Sequence, residues 1–586
     1  MDKIAIIGTA CLFPEADTPQ AYWENLVANK DSRVAAQAEQ MGRDPKDYFS
    51  PAKDTKDKYY CTTGGYINNF QFDPQGYALQ AAQLNGLDNT FQWALHVARE
   101  ALKDSGYSKS GYSKSGSKEH KDILSRCGVI LGNLSFPTKK SNQLFSPLYH
   151  QALATPLKDL LADQNFTMGA EPEGDFNNAM VAGHPASIIN EALALGDISM
   201  VLDAACASSL YSMKLACSYL QSHKADMMLA GAVSAADPWF VSMGFSTFKA
   251  FPENVASCPL DKSSAGLNTG EGAGMFVLKR YDDAIRDGDT IHAVISGIGL
   301  SNDGRGKFVL SPNEAGQTIC YERAYDNSDI NPEDVDYIEC HATGTPLGDD
   351  TEIHSMESYF ADKNVHFDMG TAKSNLGHLL TSAGMAGMLK IILAMKNDLI
   401  PATINIKEPL TSDSDKIAGD KILTKNKIWK SSNKKVAAIN AFGFGGTNAH
   451  LILEEHEVKE NSSEQKKMHE KNSEQKIASD NISIVGMGAH FGQSKNLTEF
   501  EQVIYDAQRL SAPLPKYRWQ GIDKDRDILE KFGLAEKVGS DPDQLQGNFI
   551  DQFDFDHLYF KIPPEVQAPL LPQQLLMMKV LDEALN

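Results

Sequence analysis

The sequence predicts an α/β protein, and three observations carry that prediction. Short apolar runs of strand length alternate with segments whose apolar residues recur at helical spacing. Reactive residues fall where apolar runs stop, at the strand ends where α/β proteins place their chemistry. The opening of the chain also recurs after residue 480 with its spacing kept, so one architecture is begun twice.

Composition narrows the classes further. At 586 residues the chain is too long for one ordinary core, which predicts two domains or one large layered unit. A hydrophobic content of 42% is that of a globular protein. No apolar run is long enough to span a bilayer, and Met1-Asp-Lys-Ile-Ala-Ile-Ile-Gly8 lacks the basic and long apolar regions of a signal peptide. A reducing, cytoplasmic setting with free cysteines is the expectation. The net charge of −22 counts against nucleic acid as a partner.

The first element to carry chemistry begins with the apolar run at 198–202. It ends in Asp203-Ala-Ala-Cys206-Ala-Ser-Ser-Leu210, after which Leu210, Met213, Cys217 and Leu220 recur at helical spacing. Cys206 therefore belongs at a helix N-terminus, where the macrodipole favours a thiolate, and easier ionisation is expected. A free cysteine is more commonly a small buried hydrophobe. Cys11, Cys61, Cys127, Cys217, Cys258, Cys320 and Cys340 fit that description. None forms a Cys-x-x-Cys pair, so no metal site is expected.

The next two elements supply imidazoles. Pro332 opens a helix-start signal followed by a short buried strand to Glu339, which delivers His341-Ala-Thr-Gly-Thr345 into a turn. Met369-Gly-Thr-Ala-Lys373-Ser-Asn-Leu-Gly-His378 follows another apolar strand and opens a helix rich in Ala, Gly, Met and Leu. A helix N-terminus favours a neutral imidazole at His378.

The last is Ala437-Ala-Ile-Asn-Ala-Phe-Gly-Phe-Gly-Gly-Thr-Asn-Ala-His450, a strand running into Gly443, Phe444, Gly445 and Gly446. Three glycines in four residues let backbone N–H groups approach a ligand, which suits an oxyanion hole. A phosphate loop is disfavoured, because no Gly-Lys-Ser/Thr ending follows and no Gly-x-Gly-x-x-Gly follows a strand. Each segment alone is a weak signal.

A polar stretch at 456–480, rich in Glu, Lys, Ser, Asn and Gln, reads as a flexible linker that cannot bury a core. After it, Ile482-Ser-Ile-Val-Gly-Met-Gly-Ala-His-Phe491 repeats the pattern of Ile4-Ala-Ile-Ile-Gly-Thr-Ala-Cys-Leu-Phe13. The same 29 residues separate Phe72 from Ala101 and Phe555 from Ala584. The organisation predicted is a first domain at 1–455, a linker at 456–480, and the truncated start of a second copy at 481–586. The tandem Ser105-Gly-Tyr-Ser-Lys-Ser-Gly-Tyr-Ser-Lys-Ser-Gly116 is assigned no function.

Taken together, residues 3–455 resemble the β-ketoacyl synthase family of condensing enzymes. The motifs that carry the likeness are Asp203-Ala-Ala-Cys206-Ala-Ser-Ser, Gly270-Glu-Gly-Ala-Gly274, His341-Ala-Thr-Gly-Thr345 with Gly348-Asp-Asp-Thr-Glu352, Lys373-Ser-Asn-Leu-Gly-His378, and Asn440-Ala-Phe-Gly-Phe-Gly-Gly-Thr-Asn448. Two histidines beside the cysteine resemble the decarboxylating, carrier-protein-dependent branch. Ala342 stands where glycine is usual and Ala204 where threonine is common; neither removes a reactive group. Within the family the chain is most similar to the ketosynthase and chain-length-factor subunit of bacterial polyunsaturated fatty acid synthases.

The resemblance implies a five-layered αβαβα thiolase fold that dimerises or pairs with its second copy. It implies that Cys206 takes an acyl chain from the phosphopantetheine of an acyl carrier protein. Cys206 and Phe444 N–H groups would stabilise the oxyanion, and His341 and His378 the enolate formed from a malonyl thioester. Lys373 would orient the site through an ion pair with Glu352, and Thr343 and Thr345 would hold the pantetheine amides. Other synthase subunits are implied as partners, with no metal or redox cofactor. Two rivals stay open on the residues alone: a polyketide or glycolipid-type ketosynthase with another acyl substrate, and a non-catalytic pairing domain.

Overall fold

The computed structural model describes residues 2–107, 123–163, 174–253, 257–304, 311–417, 419–431, 434–456, 482–515, 518, 526–531, 546–563 and 570–586. Nearly all of the expected linker and most of the 105–116 duplication lie outside the described residues. The chain divides into two compact units, residues 1–147 with 170–458, and residues 148–169 with 459–586.

Ten strands order the first unit. They are β1 (Ile4–Leu12), β2 (Cys127–Gly132), β3 (Ser199–Leu202), β4 (Met227–Ser234), β5 (Gly272–Arg280), β6 (Ala293–Asn302), β7 (Tyr337–Glu339), β8 (Asp368–Gly370), β9 (Val436–Gly443) and β10 (Thr447–Glu454). Their hydrogen-bonded order is β8-β7-β9-β10-β6-β1-β5-β4-β2-β3. The order separates into two five-stranded halves, joined where Ile4, Ala5 and Ile6 of β1 pair with Ile295, Val294 and Ala293 of β6. Each half, read outward from that seam, pairs antiparallel twice and then parallel twice.

Side-chain alternation then builds the layers. Ile4 and Ile6 of β1 point into an inner cluster, and Ala5 and Ile7 into an outer one, as a period of two requires. A strand buried on both faces reads as a continuous apolar run, which is how Ile4-Ala-Ile-Ile looks in sequence. The inner cluster holds α3 (Ser208–Gln221) and α8 (Ala383–Asn397), with Leu210, Met213, Met388 and Leu389 packed against Phe276 and Ile439 of the two halves. Helix α8 is buried all round from Ala383 to Met395, as a helix in a central layer must be.

The outer faces are covered separately. Helices α1 (Asn89–Asp104) and α2 (His184–Leu193) bury Phe91, Leu95 and Ile189 against Val129 and Leu229 of the first half. Asp88 caps α1 by accepting the Thr90 N–H. Helices α5 (Glu314–Asp326) and α6 (Pro346–Phe360) bury Tyr321, Ile353 and Phe360 against Ile338 and Ile452 of the second half. Helix, sheet, helix, sheet, helix is the αβαβα architecture of the thiolase fold that the resemblance implies. Cys206, in the single 3-10 turn just before α3, and His378, a few residues before α8, line one cavity.

In the second unit, Leu497–Tyr505 and Pro572–Leu585 are helices. Residues 482–490, whose sequence repeats the pattern of β1, pair with no strand among the described residues, and Ile482 and Val485 are exposed. The difference is one of pairing: β1 is held between β5 and β6, and residues 482–490 have no such neighbours among the described residues. Local packing still matches. A Cβ on Gly486 would meet the Ala584 carbonyl, as one on Gly8 would meet that of Ala101. No described helix is long and apolar enough to cross a membrane.

Candidate active site

The turn between β3 and α3 is built to present one side chain. Asp203 Oδ1 accepts the Ala205 N–H at 2.9 Å. Ser208 Oγ accepts the Ala204 N–H at 2.9 Å and donates to the Ala205 carbonyl at 2.6 Å. These bonds hold Ala205 at φ 50°, a left-handed conformation that costs a non-glycine residue roughly 1–2 kcal/mol. The next residue, Cys206, is 7% exposed and lines a cavity of about 280 Å³.

The expectation that this thiol ionises easily is corrected. Burial pushes Cys206 up to about 11, although the Phe444 N–H, the Lys373 charge and its own N–H all pull it down. Desolvation shifts a buried group by several units, whereas a helix terminus contributes about 0.3–1 kcal/mol, less than one unit. The free protein therefore holds a thiol.

Across from it, β9 and β10 form a hairpin whose turn is residues 443–446. Gly445 and Gly446 have φ of 88° and 84°, which glycine adopts without strain. A Cβ on Gly443 would sit 2.3 Å from Thr447 Oγ1 and 2.8 Å from the Ala204 carbonyl. Thr447 Oγ1 itself donates to that carbonyl at 2.8 Å. The glycine turn thus docks on the cysteine turn, and the Phe444 N–H acts on the Cys206 thiol in favour of its charged form.

His341 and His378 complete the reactive group. Their rings are perpendicular, at 89°, with centroids 5.4 Å apart. Burial, then the Lys373 charge, holds both imidazoles well below their usual range, so both are neutral. The neutrality predicted for His378 is thus present, with desolvation as its main cause in place of the helix dipole. Neither ring nitrogen of the buried His378 has a hydrogen-bond partner among the described residues.

The expected ion pair of Lys373 with Glu352 is also corrected. Glu352 spends its oxygens on the backbone and one amide, accepting from the His341 N–H at 2.7 Å, the Ala342 N–H at 2.7 Å and Asn440 Nδ2 at 2.8 Å. Lys373 Nζ lies 3.5 Å from the Cys340 carbonyl and is in no ion pair within 4 Å among the described residues. The two groups still interact through space. Three N–H donors already hold this carboxylate to the His341 loop and to Asn440, and no salt bridge with Lys373 forms within 4 Å among the described residues.

Of the residues singled out from sequence, Cys206, His341, His378, Thr343, Thr345, Gly443, Phe444, Gly445 and Gly446 line a single cavity. Lys373 and Glu352 are buried and do not line it. Thr343 and Thr345 share a hydroxyl hydrogen bond of 3.1 Å at its wall. Sequence reasoning missed Asn440 and His450 as supports. Asn440 Oδ1 faces His450 Nδ1 at 2.6 Å while Asn440 Nδ2 donates to Glu352. A hairpin centred on Gly445 places 440 opposite 450, so the glycine turn was the signal. Asp303 and Asn448 were missed too; they line the cavity and are joined at 2.6 Å.

Residues 1–284 and 479–586 match the N-terminal domain of β-ketoacyl synthases, and residues 292–407 match the C-terminal domain. Residues 420–518 match the ketoacyl-synthetase C-terminal extension. The chain is 34% identical over 595 residues to a polyunsaturated fatty acid synthase subunit of Thraustochytrium sp., covering all of this chain and 27% of that protein. It is 30% identical over 461 residues to a phenolphthiocerol/phthiocerol polyketide synthase subunit of Mycobacterium tuberculosis, covering 78% of this chain and 20% of that protein. Among solved structures, the PfaC keto synthase-chain length factor is 46% identical with a TM-score of 0.86, covering all of this chain and 60% of that one. A ketosynthase from module 6 of the Bacillus subtilis bacillaene synthase is 26% identical with a TM-score of 0.64, covering 78% of this chain and 73% of that one. The chain spans about a quarter of the first of these relatives. With matches to both halves of the catalytic fold and a cavity lined by the family's motif residues, this chain belongs to the β-ketoacyl synthase family.

Proposed function

We propose that the first copy, residues 1–455, is a β-ketoacyl-[acyl-carrier-protein] synthase that performs decarboxylative condensation in polyunsaturated fatty acid synthesis. The observation that carries the reading is the cavity itself. It gathers one thiol, two neutral imidazoles and the Cys206 and Phe444 backbone N–H groups, both of which favour the charged form of the thiol.

The thiol of Cys206 loses its proton as its sulfur attacks the carbonyl of an acyl thioester. The Cys206 and Phe444 N–H groups stabilise the resulting oxyanion, and the phosphopantetheine thiol leaves with a proton. A malonyl thioester then enters and loses CO2, its electron pair forming an enolate. The neutral imidazoles of His341 and His378 each carry one N–H to stabilise the enolate oxygen. The enolate carbon attacks the acyl-cysteine carbonyl, a carbon–carbon bond forms, and the Cys206–acyl bond breaks. Thr343 and Thr345 hydroxyls hold the pantetheine amides in this scheme, and Lys373 holds positive charge near the thiol.

The 34% identity over the whole chain to a polyunsaturated fatty acid synthase subunit supports that pathway over other acyl substrates, and the 46% identity to a keto synthase-chain length factor supports the paired organisation. Residues 481–586 are proposed as the N-terminal portion of a second, chain-length-factor-like copy, supported by the second match to the same family domain. An acyl carrier protein, a pairing copy or homodimer, and further synthase subunits are the partners proposed.

The test is turnover. The protein, an acyl-carrier thioester and malonyl thioester should yield CO2 and a β-ketoacyl thioester in equal amounts. Release of CO2 with no condensation product when acyl thioester is saturating would contradict the reading.

A further inference from the structure

Lys373 lacks the carboxylate partner that the sequence motifs suggest, which raises the question of what holds it. Directly beneath the turn that carries it lies a completely buried charge pair. Lys390 Nζ of α8 lies 2.9 Å from Glu339 Oε2 of β7, with the two side chains 0% and 2% exposed. Tyr337 Oη donates to the same Glu339 oxygen at 2.7 Å and receives Lys390 Nζ at 2.8 Å. The other oxygen, Glu339 Oε1, accepts the Ala372 N–H at 2.6 Å. Ala372 is joined directly to Lys373.

The packing leaves this carboxylate little freedom. A Cβ on Gly387 of α8 would sit 2.9 Å from Glu339 Cγ, so glycine there makes room for the side chain. Thr371 is held on the far side by Thr403 Oγ1 at 3.0 Å from its N–H. Neither Glu339 nor Lys390 lines the cavity. A buried pair of this kind is seldom a net source of stability, because desolvating two charges offsets their attraction. A role in fixing a neighbour's geometry and charge accounts better for its presence.

We propose that Glu339, clamped by Lys390 and Tyr337, is the positioning residue and counter-charge for Lys373. It anchors the Ala372–Lys373 segment through its first oxygen and keeps the Lys373 side chain protonated beside the thiol. The groups facing Lys373 are the Glu339 and Glu352 carboxylates, the Cys206 and Cys340 thiols and the His341 and His378 imidazoles. After burial, Glu339 acts on Lys373 most strongly, ahead of Glu352. Glu352 is committed to the His341 loop, so the two carboxylates divide the work: one sets the imidazole, the other the ammonium. The chain of effect runs from Glu339 to Lys373 to Cys206, and it rests on the proposed use of Cys206 as the nucleophile.

The experiment measures the rate of Cys206 alkylation by iodoacetamide against pH, by peptide mass spectrometry on the whole chain. Glu339→Gln keeps an acceptor for the Ala372 N–H and removes the charge. The double variant Glu339→Gln, Lys390→Met also removes the cation that would be left buried and unpaired, which guards against loss of folding. Loss of one opposite charge from a buried site moves a partner by about one unit or more. Both variants should therefore move the alkylation profile to higher pH by about one unit, with about tenfold slower alkylation at pH 8. A double variant that melts as the wild type does and keeps the wild-type profile overturns the inference. Acyl transfer to wild-type Cys206, run alongside, separates the two claims. If it is absent while the profiles shift, the functional reading fails and the positioning role stands.

Discussion

The rings of His341 and His378 stand perpendicular with centroids 5.4 Å apart, and neither nitrogen of His378 is bonded to any described residue. Two neutral imidazoles with an open face are unfavourable for stability, since a buried ring nitrogen without a partner costs free energy. They are suited to meeting a negative oxygen that is present only during reaction.

The first prediction concerns that pair. His378→Ala and His341→Ala should each lower condensation by about 10²- to 10³-fold, the cost of one donor to a developing oxyanion. Acyl loading of Cys206 should fall much less, because the oxyanion donors proposed for that step are backbone N–H groups. Measuring loading and condensation separately checks the split, and equal losses in both steps would count against it.

The second concerns the glycine turn. Gly443→Ala puts a methyl group 2.3 Å from Thr447 Oγ1 and 2.8 Å from the Ala204 carbonyl, so the turn must lift from the cysteine turn. Overpacking of this kind costs about 1–3 kcal/mol. Acyl loading should fall at least tenfold while thermal melting stays cooperative, which loading assays and calorimetry together would show.

A third follows from the thiol. With Cys206 pushed up to about 11, its alkylation rate should climb about tenfold per pH unit from pH 7 toward that value. An unfolded thiol titrates near 8.5, so between that value and about 11 the unfolded chain holds fewer protons than the native one. Stability contributed by the neutral thiol is therefore present below about pH 8.5 and lost as pH rises through the window. A plateau in alkylation by pH 8 would contradict the burial effect.

The fourth uses His450. Asn440 Nδ2 donates to Glu352, so Asn440 Oδ1 must accept, and His450 carries its proton on Nδ1. Burial lowers His450 to about 3. Its folded value lies below its unfolded one, so the stability it contributes is present above about pH 6.5 and lost as pH falls. At pH 5.5 the loss from this one group is about 1.4 kcal/mol. The drop in urea-unfolding free energy between pH 8 and 5.5 should shrink by about that amount in His450→Gln.

Much of this was legible in the chain because the chemistry sits on local signals. Cys206, His341, His378 and residues 443–446 each stand at the end of an apolar run, and all line one cavity. The layers were legible only through family likeness, since β1 reads as a continuous apolar run whichever faces it buries. What was not legible depends on distance in sequence. The resemblance implies that Glu352 and Lys373 are ion-pair partners, yet Glu352 is held instead by the His341 and Ala342 N–H groups. The ionisation of Cys206 was misjudged because a helix start is visible in sequence and desolvation is not. Residues 482–490 repeat the pattern of β1 yet pair with no strand among the described residues, because a strand needs neighbours that local pattern does not reveal.

The most direct test of the whole account is the mass of the protein after incubation with an acyl-pantetheine thioester. The wild type should gain one acyl group, mapped to the peptide carrying Cys206, and Cys206→Ala should gain none while melting at the wild-type temperature. An acyl adduct of equal yield on the Cys206→Ala protein would contradict the assignment of Cys206 as the nucleophile.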